Sequence, residues 1–173
     1  MVSKAKFNFF ISSLYNLFPF LVCFLILTLS VSIKPPSGYG LTLPVLSVVA
    51  IFYWSVYTPE NLSIFQVFLL GLISDFYFGS PIGSNILLVM FLRELSFRMS
   101  FKIPPTSYFL SILLAIVVLS IYFIMSWSLL FLYYQESASI KYFLLQFILT
   151  ISIYPAFMII FGWIGRFFIS RKN

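Results

Sequence analysis

The sequence predicts an all-α integral membrane protein, a polytopic bundle of about six transmembrane helices. Of its 173 residues, 62% are hydrophobic and only 8% are charged. Soluble domains carry about 25% charged residues, so a water-soluble fold of this size lacks the ionic groups to cover its surface. The apolar residues also form six long runs, near the roughly 20 residues that a helix needs to cross a bilayer. Because these runs are continuous rather than alternating, they favour helices over a β-barrel.

The first three runs are separated by turns that contain proline. Residues 34–38 and 58–61 each combine proline, which fixes φ, with residues that are common in turns. Pro44 lies in the first turns of the second run, where a missing N–H costs least, and Trp54 lies near its end, as aromatic residues do at headgroup level. The first three predicted spans are residues 17–33, 41–57 and 62–78.

The last three runs follow a compact turn at residues 79–84. Prolines at 104 and 105 separate the fourth run from the fifth, and the polar residues 135–139 separate the fifth from the sixth. Pro155 lies inside the sixth run and is expected to kink it. No stretch is polar enough for a soluble domain, so residues 1–173 are predicted to form one membrane domain. The last three predicted spans are residues 85–101, 108–134 and 142–169.

The basic residues predict the orientation of the chain in the membrane. With six spans and a cytoplasmic N-terminus, only Lys34 and Lys141 lie outside, which fits the excess of Lys and Arg in cytoplasmic segments. Both termini are therefore expected in the cytoplasm. The predicted cytoplasmic bases are Lys4, Lys6, Arg98, Lys102, Arg166, Arg171 and Lys172.

The composition argues against catalysis, cofactors and nucleic acid. The chain has no histidine, which removes the commonest general base and metal ligand, and its four acidic residues share no short motif. No phosphate-binding loop, metal motif or nucleophile elbow occurs. Because the positive charges lie at the ends of apolar runs, they indicate membrane topology rather than nucleic-acid binding. We therefore predict no enzyme activity, no cofactor and no metal, with the lipid bilayer as the principal surroundings.

Asp75 is the most informative residue, because a carboxylate within a spanning helix usually faces protein or water. Gly71, Asp75 and Gly79 are spaced by four and share one helix face, where glycines let another helix approach closely. One interpretation is a stripe for helix packing, for partner docking or for an ion path. The alternative is a carboxylate that caps the adjacent turn.

Arg93 and Glu94 lie in the middle of the next predicted helix. Because side chains lean toward the N-terminus of their own helix, Arg93 is a candidate to form a salt bridge with Asp75 across the hairpin. The alternative is that Arg93 extends toward the lipid headgroups. Glu94 and Arg98 are spaced i, i+4 in the favourable order, which predicts a structural ion pair.

Two pairs of small residues match the small-xxx-small pattern of packed membrane helices, one in each of the last two spans. They are Ser111 with Ala115 and Ser152 with Ala156.

Residues 43–100 carry a motif that resembles the rod shape-determining protein MreD family. Pro44 early in the second span and Trp54 near its end are followed by the runs FLLGLISD at residues 68–75 and FGSPIG at residues 78–83. This resemblance implies an S-component-like helix layout and gives Asp75, Gly79, Pro81 and Gly83 as the family-typical positions. It also implies partners in the elongation complex: MreC-like, MreB-like and RodA-like proteins and a class B penicillin-binding protein.

The leading hypothesis is a non-enzymatic scaffold of this complex, or elongasome, that supports peptidoglycan synthesis along the lateral wall and so regulates cell shape. Its partner-binding or structural residues would be Gly71, Asp75, Gly79, Pro81, Gly83 and Arg93. The alternative is an S-component-like module that binds a transported small molecule. A membrane enzyme is disfavoured because the chain lacks histidine and has few acids.

Overall fold

A computed structural model describes residues 2–32, 43–101, 108–134 and 140–169. These residues form six α-helices and no strand, which confirms the predicted all-α class. The predicted turns at residues 34–38 and 104–105 and the loop at 135–139 lie outside the described residues. The helices are α1 (Val2–Ser32), α2 (Leu46–Tyr57), α3 (Ile64–Phe78), α4 (Ser84–Ser100), α5 (Tyr108–Tyr134) and α6 (Ile140–Ile169).

The short helix α2 lies at the centre of the bundle. All nine of its residues from 47 to 55 are buried, and α2 contacts α1, α4 and α6. A helix that is buried on all sides needs no polar face, so its residues are mostly apolar all round. The prediction that this helix begins at residue 41 is wrong, since residues 43–45 are not helical. Pro44 has no N–H to donate to a preceding turn.

The helices α3 and α4 form the most closely packed pair. Ser63 begins α3 with a capping box, in which its hydroxyl accepts from the Gln66 N–H at 3.2 Å while its own N–H donates to Gln66 Oε1 at 2.8 Å. Two orphan donors are thereby satisfied. The turn at residues 79–83 joins these two closely packed helices.

The lengths of the helices bear on how the chain meets the membrane. In the described part of the chain, two segments are long and apolar enough to span a bilayer, Tyr108–Tyr133 in α5 and Ile140–Gly165 in α6. Leu17–Ser32, Leu46–Tyr57 and Ile64–Phe78 are apolar but shorter. Six helices are thus observed, whereas six membrane crossings, the cytoplasmic termini, a single domain and the S-component-like layout stay predictions.

Two long helices each contain a proline and continue beyond it. The helix α1 runs through Pro19, and α6 runs through Pro155. Each proline removes one backbone donor from its helix. In α1, Pro19 is buried, so neighbouring helices cover this weak point.

Candidate functional site

The carboxylate of Asp75 is buried in the turn that joins α3 to α4, with only 2% of the residue exposed. Its Oδ2 accepts a hydrogen bond from the Gly83 N–H at 2.7 Å, and its Oδ1 accepts one from the Asn85 N–H at 2.9 Å. The hydroxyls of Ser80 and Ser84 donate to the same Oδ1 at 2.9 and 3.3 Å. Hydrogen bonds to a charged acceptor are stronger than neutral ones, so four of them stabilise the buried charge.

Of the two interpretations of Asp75, the structure shows the turn cap. The two backbone donors belong to the start of α4, where the first N–H groups have no partner within the helix. A negative charge is also favoured at a helix N-terminus. Asn85 Nδ2 donates to Ser80 Oγ at 2.7 Å and extends the network across the turn. Asp75 therefore fixes the α3–α4 hairpin from within.

Arg93 lies far from this network, and the predicted salt bridge between Asp75 and Arg93 is wrong. Arg93 follows Asn85 by eight residues, which is about 12 Å along α4. Its Nη2 donates to the carbonyl oxygen of Leu62 at 3.3 Å, at the opposite end of α3. The Asp75 carboxylate has its partners in the turn instead.

The guanidinium of Arg93 is held inside the bundle rather than extended to headgroups, since the side chain is 11% exposed. Its Cζ lies 5.3 Å from the centroid of the Phe97 ring, and its Nη1 lies 3.7 Å from Glu94 Oε2. Glu94 also pairs with Arg98 at 2.7 Å, which confirms the predicted i, i+4 pair. Arg93 therefore ties the start of α3 to the middle of α4.

The predicted glycines have two different roles. A Cβ added at Gly71 would lie 2.6 Å from Ile86 Cα, so this glycine permits the close approach of α3 and α4. No atom lies within 4 Å of such a Cβ at Gly79 or Gly83, and the close approach expected at Gly79 is not observed. These two residues have φ values of 60° and 102°, which L side chains rarely adopt.

Pro81 lies between these glycines, and its carbonyl oxygen accepts the Ser84 N–H at 3.0 Å. It thereby satisfies a further donor at the start of α4. The structure thus brings Asp75 together with Gly79, Pro81 and Gly83 of the α3–α4 turn. Gly71 lies about two helical turns before the end of α3. Arg93 is not part of this group. A role of these residues in partner binding stays a prediction.

A second polar feature joins α6 to the irregular segment before α2, which the sequence did not predict. Gln146 Nε2 donates to the Leu43 carbonyl oxygen at 2.9 Å, and the Val45 N–H donates to Thr150 Oγ1 at 3.2 Å. Non-helical backbone at membrane depth requires such partners inside the protein. The available signal was the i, i+4 spacing of Gln146 and Thr150 on an otherwise apolar helix face.

A third polar feature is a chain of three hydroxyls that joins α2, α5 and α6. Tyr57 donates to Ser111 Oγ at 2.8 Å, and Ser111 Oγ lies 2.8 Å from the Tyr154 hydroxyl. Ser111 belongs to one of the small-residue pairs, which indicated packing but not its hydrogen-bond partners. Hydroxyls that bond across helices in this way stabilise a membrane bundle.

A cavity of about 560 Å³ opens beside the α3–α4 turn. It is lined by the C-terminal parts of α1, α3 and α5, the N-terminal parts of α2, α4 and α6, and residues 43–45. It therefore lies at one end of the bundle, which the predicted topology assigns to the outside. Its volume falls within the roughly 300–1,000 Å³ of small-molecule sites.

The titratable side chains do not form a reactive cluster in the described part of the chain. There, no three His, Cys, Asp or Glu residues lie close enough to hold a metal ion. Asp75 is occupied by the turn, and Cys23 is buried in the core without a second thiol. What the arrangement can do is hold helices together and enclose a neutral cavity.

The comparisons with known proteins identify the family. The model of the family described as rod shape-determining protein MreD matches residues 11–163, nearly the whole chain. No curated protein and no solved structure matches. The match covers most of α1, most of α6 and everything between them, including the Asp75 turn, and it confirms the resemblance seen in residues 43–100. The chain therefore belongs to the rod shape-determining protein MreD family, a family of membrane proteins that determine cell shape and are not known enzymes.

Proposed function

We propose that this protein is a non-enzymatic membrane scaffold of the bacterial elongation complex. It would bind an MreC-like partner in the inner membrane and support lateral peptidoglycan synthesis, beside MreB-like and RodA-like proteins and a class B penicillin-binding protein. The observation that carries this proposal is the family match over residues 11–163, which gives a role in rod shape determination.

The use of the polar side chains supports a scaffold. Asp75 fixes the α3–α4 turn, Gln146 and Thr150 fix the start of α2, and Ser111 bonds to both Tyr57 and Tyr154. Each of these groups bonds within the protein and holds helices in place. A bundle held in this way offers a fixed outer surface, which a partner helix requires for specific packing.

The two small-residue pairs differ in a way that suggests where a partner helix packs. Ser111 and Ala115 face the interior and are used by the bundle itself. Ser152 and Ala156 are exposed on α6, next to Ile159, which is 74% exposed. Small residues between large ones let a second helix approach closely, so we expect the transmembrane helix of the MreC-like partner at this face.

The test uses a rod-shaped bacterium in which this protein replaces the native family member. Ala156→Leu is expected to abolish co-purification of the MreC-like protein and to give rounded cells. The control is Ser120→Leu, which also introduces a leucine side chain, here at a partly exposed position of α5. Retained rod shape after depletion of the protein, together with no co-purification of the MreC-like protein by the unaltered chain, would contradict the scaffold.

The second candidate is an S-component-like transport module, which the cavity favours. Such a module would raise cellular uptake of a small molecule and would depend on an energised partner. Uptake that is lost on depletion while rod shape persists would favour this candidate over the scaffold.

A further inference from the structure

The cavity beside the α3–α4 turn contains hydroxyl groups that have no hydrogen-bond partner among the described residues. Ser47, Ser74 and Tyr122 line it from α2, α3 and α5. They are 7%, 9% and 6% exposed, so each is more than nine-tenths buried. Among the described residues, only Trp54 Nε1 and Arg93 Nε are both completely inaccessible and without a partner. The three hydroxyl oxygens therefore each keep some accessible surface.

The hydroxyl of Ser74 differs from those of several other helical serines among the described residues. Ser55, Ser96 and Ser120 each donate to the carbonyl oxygen four residues earlier, at about 2.6 Å. Serine in a helix commonly uses this bond when no other partner exists. Ser74 has the same option toward Leu70 and does not use it, so its hydroxyl remains available to a molecule in the cavity.

The chemistry of the lining restricts what the cavity can bind. No Lys, Arg, Asp or Glu lines it in the described part of the chain. An ion taken from water into such surroundings would lack a counter-charge, which is strongly unfavourable. The lining instead combines apolar side chains such as Leu27, Leu88 and Phe123 with the hydroxyls and the amides of Asn85 and Gln146.

We propose that this cavity is a binding site for a neutral amphipathic small molecule, with an apolar body against the leucines and hydroxyl or carbonyl groups on Ser47, Ser74 and Tyr122. This function goes beyond the scaffold and does not depend on it. Apolar walls with a few placed polar groups are typical of sites that hold one orientation of a ligand.

The experiment uses the full chain in lipid nanodiscs and octyl glucoside, a neutral molecule with an eight-carbon chain and sugar hydroxyls, below its micelle concentration. Native mass spectrometry then measures the occupied fraction. We expect a one-to-one adduct on the unaltered protein. Ser126→Trp, which fills the cavity from α5, should abolish it, while Ser128→Trp, two residues away and outside the lining, should retain it.

A second variant separates binding by hydrogen bonds from passive filling. Ser74→Ala with Tyr122→Phe removes two hydroxyls and keeps the cavity, and should weaken octyl glucoside binding by roughly tenfold. Octyl sulfate, the anionic analogue, should give no adduct. Equal occupancy in all variants, adducts of phospholipid only, or equal binding of octyl sulfate would each overturn the proposal. Melting temperatures confirm that every variant compared is folded.

Discussion

The Asp75 carboxylate accepts the Gly83 N–H at 2.7 Å, and this bond closes the hairpin between α3 and α4. Three further donors from the turn converge on the same carboxylate, so the group is an internal cap for α4. A buried carboxylate in a membrane protein often marks an ion path. Here the α3–α4 turn provides the hydrogen-bond partners of Asp75, and the carboxylate stabilises the hairpin.

The first prediction concerns Asp75→Ala. This change leaves the Gly83 and Asn85 N–H groups without their acceptor inside the protein, and should lower the free energy of unfolding by about 2–4 kcal/mol. Unfolding by sodium dodecyl sulfate in mixed micelles measures it. The control Glu60→Ala removes an exposed carboxylate and should change little. A stability loss at Asp75 no larger than at Glu60 would refute the capping role.

The second prediction concerns Gly71→Ala. The added Cβ would lie 2.6 Å from Ile86 Cα, which is backbone, so α3 and α4 must separate and the protein should lose about 1–3 kcal/mol of stability. Gly165→Ala on α6 is the matched control, since no atom lies within 4 Å there, and it should be neutral or stabilising.

Rescue by a second change distinguishes a backbone clash from a side-chain clash at Gly71. Val89→Ala removes the side-chain atom nearest the added Cβ, Cγ2 at 2.9 Å, but leaves the Ile86 Cα in place, so the double variant should be no more stable than the sum of the two changes. Recovery of stability in the double variant would show that α3 and α4 do not approach as closely as described.

The extent of most helices was predictable, because lipid demands long apolar runs and proline or glycine interrupts them. The exception at the N-terminal end is α1, which begins at Val2 although the predicted first span begins at residue 17. Predicted residues 62–78 and 108–134 agree closely with Ile64–Phe78 and Tyr108–Tyr134. The start of α2 could not be predicted in this way. The backbone groups of Leu43 and Val45 before it are satisfied by Gln146 and Thr150, about a hundred residues later in the chain. A pattern of apolar residues contains no information on such a distant pairing.

The sequence predicted which residues belong to the Asp75 site, but not the hydrogen bonds among them. The spacing of Gly71, Asp75 and Gly79 identified a special helix end, and the turn residues completed it. Which donors reach Asp75 depends on the φ values of 60° and 102° at Gly79 and Gly83, which direct the chain back over the carboxylate. The cavity requires all six helices at once, so no local motif predicted it.

The third prediction compares the two turn glycines. At Gly79, φ and ψ are 60° and 25°, a left-handed conformation that asparagine tolerates, so Gly79→Asn should cost about 1 kcal/mol or less. At Gly83, φ and ψ are 102° and -17°, farther from the centre of the left-handed region, and Gly83→Asn should cost more, about 1–3 kcal/mol. Melting temperatures in detergent compare the stability of the two variants. Equal losses of stability would argue that the backbone conformation is not the cause.

The fourth prediction concerns the hydroxyl chain through Ser111. Ser111→Ala removes the partner shared by Tyr57 and Tyr154 and should lower stability by about 1–2 kcal/mol, the upper range for hydrogen bonds between membrane helices. Ser120→Ala on the same helix removes only a bond to its own backbone and is the matched control. If both changes have the same effect, the hydroxyl chain does not hold the helices together.

The fifth prediction is that Asp75 and Arg93 act independently. Asp75 has its partners in the turn, whereas Arg93 contacts Leu62 and lies 5.3 Å from the Phe97 ring. A double-mutant cycle with Asp75→Ala and Arg93→Leu should therefore give a coupling within about 0.5 kcal/mol of zero. The cycle with Arg93→Leu and Phe97→Leu should give about 0.5–2 kcal/mol, because it removes a cation–π contact in a desolvated place. A larger coupling for the Asp75 pair than for the Phe97 pair would mean that the two charges interact in the membrane, and that the turn alone does not satisfy Asp75.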